Sequence, residues 1–295
     1  MSVLILGWLA KDLNLVKILE NLKLLPLWAW FAALFTYLLA QILSSIRWQL
    51  IAQSLGLHGS FNQYLDLYFL GMFFNLFLPT GMGGDAVKSY HLGKRHSNHL
   101  NSAYSILFDR LTGLCALLII CAFALWHVAL DETLNLIIIA ATTLSVGGLI
   151  FAPSIFKLLQ RVLPQLSRWI SPLQQLYHSP MRLLLIFMMA IAIQLIGLSI
   201  VIGLGTLLAI KLSWSFYIVC WTLITLATLL PISINGLGVR EAGFVYLFQT
   251  QGIDSEQAIT LSLLTFLIPL LASLFGLLPF FSLDTPADKK TNDNT

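Results

Sequence analysis

Two interruptions of the same form break an otherwise apolar sequence, and they restrict the fold more than any other feature. Each consists of an apolar segment that ends at a proline, a Gly-x-Gly loop, and charged residues that begin a new amphipathic segment. They read Asn75-Leu-Phe-Leu-Pro79-Thr-Gly81-Met-Gly83-Gly84-Asp85-Ala-Val-Lys88 and Leu230-Pro231-Ile-Ser233-Ile-Asn235-Gly236-Leu-Gly238-Val-Arg240-Glu241. Non-helical backbone inside a bilayer is tolerated only where protein or a water-filled cavity satisfies its polar groups. Such a pair, one in each half of a chain, indicates a transporter's binding site.

The composition places the chain in a membrane. Of its 295 residues, 58% are hydrophobic and 10% are charged, whereas roughly 25% are charged in an average soluble domain. We therefore expect one integral membrane domain over residues 1–282 and a short, polar, disordered tail over 283–295. The net charge is only +3, and no basic run has interleaved aromatic residues, so we expect no nucleic acid as a partner.

Long apolar runs predict the membrane helices, because about 20 apolar residues cross a bilayer. They lie near 24–46, 101–127, 133–152, 182–210, 213–230 and 257–282, and two shorter segments, 61–78 and 239–250, flank the interruptions. The basic, proline-containing stretch 154–180 predicts an interfacial connection. Residues 1–10 are too short to cross and predict either a truncated first helix or an interfacial segment.

The placement of lysine and arginine predicts the orientation of these helices. Basic residues place 86–100 and 154–182 in the cytoplasm, and acidic residues place 128–133 outside. The first broken hairpin then enters from the cytoplasm and the second from the exterior. The predicted fold is an all-α polytopic membrane protein with about six to eight membrane helices and two re-entrant, Gly/Pro-broken hairpins in an inverted repeat. We expect it in the cell membrane, plasma or inner, as a multi-pass protein.

The first broken segment carries residues suited to binding an anion. Gly83 and Gly84 allow backbone N–H groups to converge at the start of a helix whose first turn contains Asp85. Lys88 lies about one turn further and could neutralise a phosphate, and Asn75 is a polar residue just before the break. The alternative is that the glycines permit close helix packing and the charges pair with each other.

The second broken segment has the same design. Gly236 and Gly238 precede a helix whose first turn contains Arg240 and Glu241. An arginine can grip a phosphate with a bidentate fork. The same packing alternative applies here.

Three further charged residues lie in apolar segments, where ionisable groups are expensive and usually face a cavity or each other. Arg110 could hold an anionic headgroup that Asp109 positions, or the two could form an interfacial ion pair. Arg47 is open to the same two interpretations, with its head group reaching the membrane surface as the alternative. A polar stripe on the same helix predicts hydrogen bonding between helices or a hydrophilic path: Tyr37, Gln41, Ser44 and Ser45.

No catalytic constellation is present in the sequence. The Gly-x-Ser-x-Gly, Walker A and His-Glu-x-x-His patterns are missing. We therefore predict no catalytic residue, no metal site and no cofactor. The sequence does not by itself decide whether the protein is an enzyme.

The sequence resembles the lysylphosphatidylglycerol synthase transmembrane-region family, also called the flippase-like domain family. The segments that carry the resemblance run from about residue 13 to 282 and occur in the family's order: Arg47-Trp48, Asn75 through Tyr90, Asp109-Arg110-Leu-Thr-Gly113, and Leu230 through Glu241. Lys88 stands where arginine is common in the family, which keeps the charge but loses the fork. In bifunctional members this region moves aminoacylated phosphatidylglycerol between leaflets, and a separate cytosolic domain transfers the aminoacyl group. The chain looks like a stand-alone member without the synthase domain.

The resemblance implies a lipid flippase or lipid transporter. Its cargo would be an anionic or aminoacylated phospholipid, or a lipid-linked envelope precursor, with the headgroup held between the two hairpins. The alternative is a membrane-embedded enzyme, or the membrane subunit of a lipid-linked glycosyl or aminoacyl transfer pathway. The expected partners are the lipid itself and either a second copy of the chain or an enzyme of an envelope-lipid pathway.

Overall fold

The computed structural model describes residues 14–77, 83–128, 132–229, 233 and 236–283. Within these ranges the regular elements are all helical. The α-helices are α1 (Leu15–Leu24), α2 (Leu27–Ser54), α3 (Phe61–Phe77), α4 (Gly83–His96), α5 (His99–Ala124), α6 (Glu132–Val162), α7 (Ser167–Gln175), α8 (Pro180–Leu207), α9 (Trp214–Leu229), α10 (Val239–Gln249), α11 (Ser255–Ser273) and α12 (Leu277–Leu283).

The described helices confirm an all-α polytopic membrane protein. Five are long and apolar enough to cross a bilayer: α2, α5, α6, α8, and α11 continued into α12. Helix α9 is apolar but shorter, with 16 residues. These numbers agree with the predicted six to eight membrane helices.

The same order of elements occurs twice. A long helix, a short helix, a broken connection, a second short helix and another long helix follow each other in both halves. The α-helices contain 28, 17, 14 and 26 residues in α2 to α5, and 28, 16, 11 and 19 in α8 to α11. The two halves therefore form an internal structural repeat, although their sequences share little beyond the proline and the Gly-x-Gly loop.

The helices of the two halves have corresponding packing partners. Helix α2 packs against α3 and α5 just as α8 packs against α9 and α11. Helix α5 packs against α8 and α9, and its counterpart α11 packs against α2 and α3. The counterparts α2 and α8 contact each other extensively. Each broken hairpin is thus held by both halves.

The order of crossings agrees with an inverted repeat. A hairpin that returns to the side from which it started adds no net crossing. Helices α2, α5 and α6 then separate the start of the first repeat from the start of the second, which is an odd number of crossings. Helix α6 packs chiefly against α5 and α7 and belongs to neither repeat. The second repeat therefore begins on the opposite side from the first.

Aromatic cores fix the two hairpins in place. In the first half Trp48 and Tyr64 are fully buried, and their rings meet edge to face with centroids 5.0 Å apart. In the second half Phe244, Phe248 and Tyr217 form a similar buried cluster. Aromatic pairs in these geometries add about 0.5–1.5 kcal/mol beyond the area that they bury.

Several boundaries differ from those predicted. Helix α2 continues to Ser54 rather than ending near residue 46, so Arg47 lies inside the bundle and not at a helix end. Helix α6 passes Pro153 and ends at Val162, so the predicted connection 154–180 is partly helical. Proline is tolerated there because neighbouring groups can satisfy the freed carbonyl in a membrane helix.

The amphipathic helix α1 was not predicted. Its start is set by Asn14, whose side chain accepts hydrogen bonds from the Val16 and Lys17 N–H groups. Its buried Ile18 packs into the second aromatic core. The predictions for residues 1–10 and for the tail fall outside the described residues, except that Leu283 ends α12.

Candidate functional site

A buried ion pair joins α2 to α5. The Arg47 Nε atom donates to the Asp109 Oδ1 atom at 2.9 Å, and Arg47 Nη2 donates to the Asp109 backbone oxygen at 3.2 Å. The two residues are 6% and 7% exposed. Burial of either charge alone would be strongly unfavourable, so each residue requires the other. Nearby, Gln194 of α8 donates to the Gly113 backbone oxygen at 2.9 Å, which ties α8 to the same region of α5.

A second group of charges joins α4 to α5. Asp85 accepts from Lys88 through Oδ1, with the Lys88 Nζ atom 2.7 Å away, and forms an ion pair with Arg110 through Oδ2. The Lys88 ammonium also lies 4.5 Å from the ring centroid of Tyr68 and 5.3 Å from that of Trp48. Lys88 is 7% exposed. A carboxylate and two aromatic faces therefore surround it.

Asp109 and Arg110 do not pair with each other. Asp109 contacts Arg47 of α2, and Arg110 contacts Asp85 of α4. Consecutive residues on a helix do not face the same direction. The two side chains therefore link α5 to two different neighbours, and the predicted alternative of a local ion pair between them is not what the structure contains.

The two helices of the first hairpin cross at a pair of glycines. A Cβ atom at Gly84 would lie 1.8 Å from the Gly71 backbone oxygen, so only glycine allows this approach. The Gly84 N–H group donates to the Asn75 Oδ1 atom at 2.7 Å. Gly83 is buried at the start of α4. The packing role of Gly84 is thus visible, whereas an anion site in the loop stays a prediction, because residues 78–82 lie outside the described ranges.

The second hairpin is turned by two glycines in the left-handed region. Gly236 has a φ of 77° and Gly238 a φ of 87°, which glycine adopts at little cost. The Gly238 N–H group donates to Glu241 Oε2 at 2.5 Å, and Ser262 Oγ donates to Glu241 Oε1 at 3.2 Å. Glu241 is 3% exposed. One oxygen of this carboxylate therefore caps the start of α10, and the other links α10 to α11.

Replacing Glu241 by glutamine should lower the unfolding free energy by about 2 kcal/mol, because a hydrogen bond to a charged group contributes about 1.5–3 kcal/mol. Ser262→Ala removes one of the two contacts and should cost about 1 kcal/mol. Denaturant unfolding of the purified variants in detergent measures both. An E241Q variant as stable as wild type would contradict the capping role.

A cavity of about 330 Å³ is lined by residues of both hairpins. Asn75, at the end of α3, and Arg240, at the start of α10, both line it. The Arg240 guanidinium lies 5.7 Å from the ring centroid of Phe266. The other lining residues come from α2, α3, α9 and α11: Tyr37, Met72, Trp221, Ile224, Thr225, Thr228, Thr265, Phe266, Pro269, Leu270 and Ser273.

The structure separates the predicted site residues into two groups. Asn75 and Arg240 line the cavity, and Gly236 lies against Arg240 and Thr228. The others form the charge groups and hairpin contacts described above and are not among the residues that line the cavity: Arg47, Gly83, Gly84, Asp85, Lys88, Asp109, Arg110, Gly238 and Glu241.

The serine and threonine hydroxyl groups that line the cavity were not predicted from the sequence. Thr225 and Thr228 are three residues apart on α9, so they share a face of the helix that leads into the second break. That spacing was a usable signal. Tyr37 did belong to the predicted polar stripe of α2, whereas Thr265 and Ser273 gave no signal in an apolar segment.

Comparison with known proteins gives one match. The family model of the lysylphosphatidylglycerol synthase TM region matches residues 1–276. Comparisons with curated proteins and with solved structures find no match. The match covers both repeats, α6 and both broken segments. The chain therefore belongs to the lysylphosphatidylglycerol synthase transmembrane-region family and is a multi-pass membrane protein.

Proposed function

We propose that the protein is a lipid flippase or lipid transporter of the cell membrane that moves a phospholipid with an anionic or aminoacylated headgroup, or a lipid-linked envelope precursor, between leaflets. The observation that carries this proposal is the cavity between the two broken hairpins, with Arg240 in its wall. Family membership agrees with a role in lipid metabolism or lipid movement.

The architecture supports transport. Binding sites of many transporters lie near the bilayer midplane, at the interface of two repeats, where broken helices present their ends. Here the end of α3 and the start of α10 reach one cavity, and they belong to different repeats. A volume of about 330 Å³ lies at the lower end of the range for small-molecule pockets. It accommodates a headgroup, while the acyl chains remain in the bilayer.

In this proposal Arg240 binds the lipid phosphate. A guanidinium forms charge-assisted, often bidentate hydrogen bonds with phosphate oxygens. Asn75 and the threonines of α9 complete the contacts with the headgroup. The ion pair of Asp85 with Arg110 holds α4 against α5, and the ion pair of Arg47 with Asp109 holds α2 against α5. In this proposal these charges brace the first repeat.

Arg240→Gln should reduce headgroup translocation in proteoliposomes at least ten-fold, because it removes the charge and the fork. A tenfold change corresponds to about 1.4 kcal/mol, slightly less than the roughly 1.5–3 kcal/mol that one hydrogen bond to a charged group contributes. Arg240→Lys should retain part of the activity, since it keeps the charge. The matched control is Arg168→Gln, which removes an exposed arginine from α7.

The readout is the time course with which phosphatidylglycerol on the inner leaflet becomes accessible to an added reagent. Wild-type rates in the Arg240→Gln variant would overturn the assignment. A purified protein that changes the lipid chemically, without a partner, would favour the membrane-embedded enzyme instead.

A further inference from the structure

We propose that the headgroup taken by this cavity carries a phosphate and uncharged hydroxyl groups, as phosphoglycerol or a phosphorylated polyol does, and carries no ammonium group. This inference rests on the proposed function, because it specifies the cargo of the same site. It is carried by the chemistry of the cavity wall.

The described part of the cavity wall contains one kind of ionised group. Among the described residues that line the cavity, Arg240 is the one with a charged side chain. The remaining polar groups are an amide and hydroxyls: Asn75, Tyr37, Thr225, Thr228, Thr265 and Ser273. The adjoining segments 78–82, 230–232 and 234–235 contain no aspartate or glutamate in their sequence. No carboxylate on these segments could therefore approach a ligand.

The carboxylates of the second hairpin and of the two charge groups are already engaged. Both oxygens of Glu241 accept hydrogen bonds from the protein, and Glu241 is not among the lining residues. Asp109 is paired with Arg47, and Asp85 with Lys88 and Arg110. An ammonium group in the cavity would meet none of these carboxylates without breaking an existing contact.

An ammonium group without a carboxylate would be unfavourable there. It would lose water, it would find no carboxylate among the described residues that line the cavity, and it would be repelled by the Arg240 guanidinium through a medium of low dielectric constant. Hydroxyl groups of a polyol suit the wall instead, since Ser, Thr and Tyr hydroxyls both donate and accept hydrogen bonds.

Asn75 presents a donor to the ligand. Its Oδ1 atom accepts from the Gly84 N–H group, and its amide nitrogen supplies N–H donors at the cavity wall. A donor matches phosphate oxygens and polyol hydroxyls but not an ammonium group, which only donates. Asn75 therefore acts together with Arg240 in selecting against cationic headgroups.

The test compares the binding of lipids with different headgroups to the purified full chain in detergent. Phosphatidylglycerol, lysylphosphatidylglycerol and phosphatidylcholine, with matched acyl chains, compete for the protein, and the retained lipid is identified by mass. We expect phosphatidylglycerol to be retained at least ten-fold over each of the other two. Equal or stronger retention of lysylphosphatidylglycerol or phosphatidylcholine, or retention of none of the three, would overturn the inference.

Asn75→Asp provides the matched variant, because it keeps the shape and the acceptor for Gly84 but adds a carboxylate to the cavity. The preference should shift toward lysylphosphatidylglycerol by at least ten-fold, and an unchanged preference would overturn the inference.

Translocation assays with the same lipids keep the two proposals separate. Preferential retention of phosphatidylglycerol without translocation contradicts the flippase function and still supports this headgroup class. Faster translocation of lysylphosphatidylglycerol than of phosphatidylglycerol supports the flippase function and contradicts this headgroup class.

Discussion

Asp85→Asn should lower the unfolding free energy by roughly 3–5 kcal/mol, the usual cost of breaking a buried pair from one side. The variant leaves Lys88, which is 7% exposed, without its carboxylate partner. The aromatic faces of Tyr68 and Trp48 compensate only in part. Most of the loss comes from Lys88, because the Arg110 side chain is 36% exposed and water screens its charge.

Denaturant unfolding in detergent measures this effect, and two variants serve as controls. The double variant D85N/K88M removes the stranded charge and should recover most of the lost stability, because replacing both partners of a buried pair is often close to neutral. Asp66→Asn removes an exposed carboxylate from α3, in the same hairpin, and should change stability by less than about 0.5 kcal/mol. If D85N and D66N were equally stable, the buried pair would contribute nothing.

Gly84→Ala should lower the unfolding free energy by about 3 kcal/mol or more, at the upper end of what overpacking costs. The added Cβ atom would lie 1.8 Å from the Gly71 backbone oxygen and 2.6 Å from its carbonyl carbon. No rotamer change relieves this contact, because both atoms belong to the backbone. Helices α3 and α4 must separate, and the hydrogen bond from Gly84 to Asn75 is lost with them.

Gly148→Ala is the matched control for that substitution. Gly148 lies within α6, and a Cβ atom built there meets nothing within 4 Å. Alanine should therefore keep or raise stability, by up to about 1 kcal/mol of helix propensity. The thermal midpoints of the two variants in detergent provide the comparison. Equal thermal midpoints of the Gly84→Ala and Gly148→Ala variants would contradict the close helix crossing.

The helices and the two breaks could be predicted because they depend on local sequence. Apolar length identifies a span, and a proline followed by Gly-x-Gly ends one wherever it occurs. The first hairpin could be placed for the same reason. The end of α2 was misplaced because Arg47 resembles a residue at a membrane surface until its partner is known. That partner, Asp109, is 62 residues away.

The partners of the charges and the wall of the cavity could not be predicted from one sequence. Asp109 and Arg110 are neighbours in the chain, and only the positions of α2 and α4 around α5 decide that they contact different residues. Arg240 and Asn75 line a common cavity although they belong to hairpins that lie far apart in the sequence. Such contacts follow from how the helices pack against one another. Neither the spacing of apolar residues nor a short motif contains information about that packing.

Helix α6 has a consequence for how the two halves could have arisen by duplication. Only 6% of the apolar 18-residue stretch of this helix is buried, so the helix adds little to the packed interior. It nevertheless supplies the extra crossing between the repeats. Two copies of an ancestral half joined without such a helix would enter the bilayer facing the same way, and both hairpins would open to one leaflet. A helix with little buried surface thus sets the number of crossings that precedes the half that carries Arg240, and with it the orientation of that half.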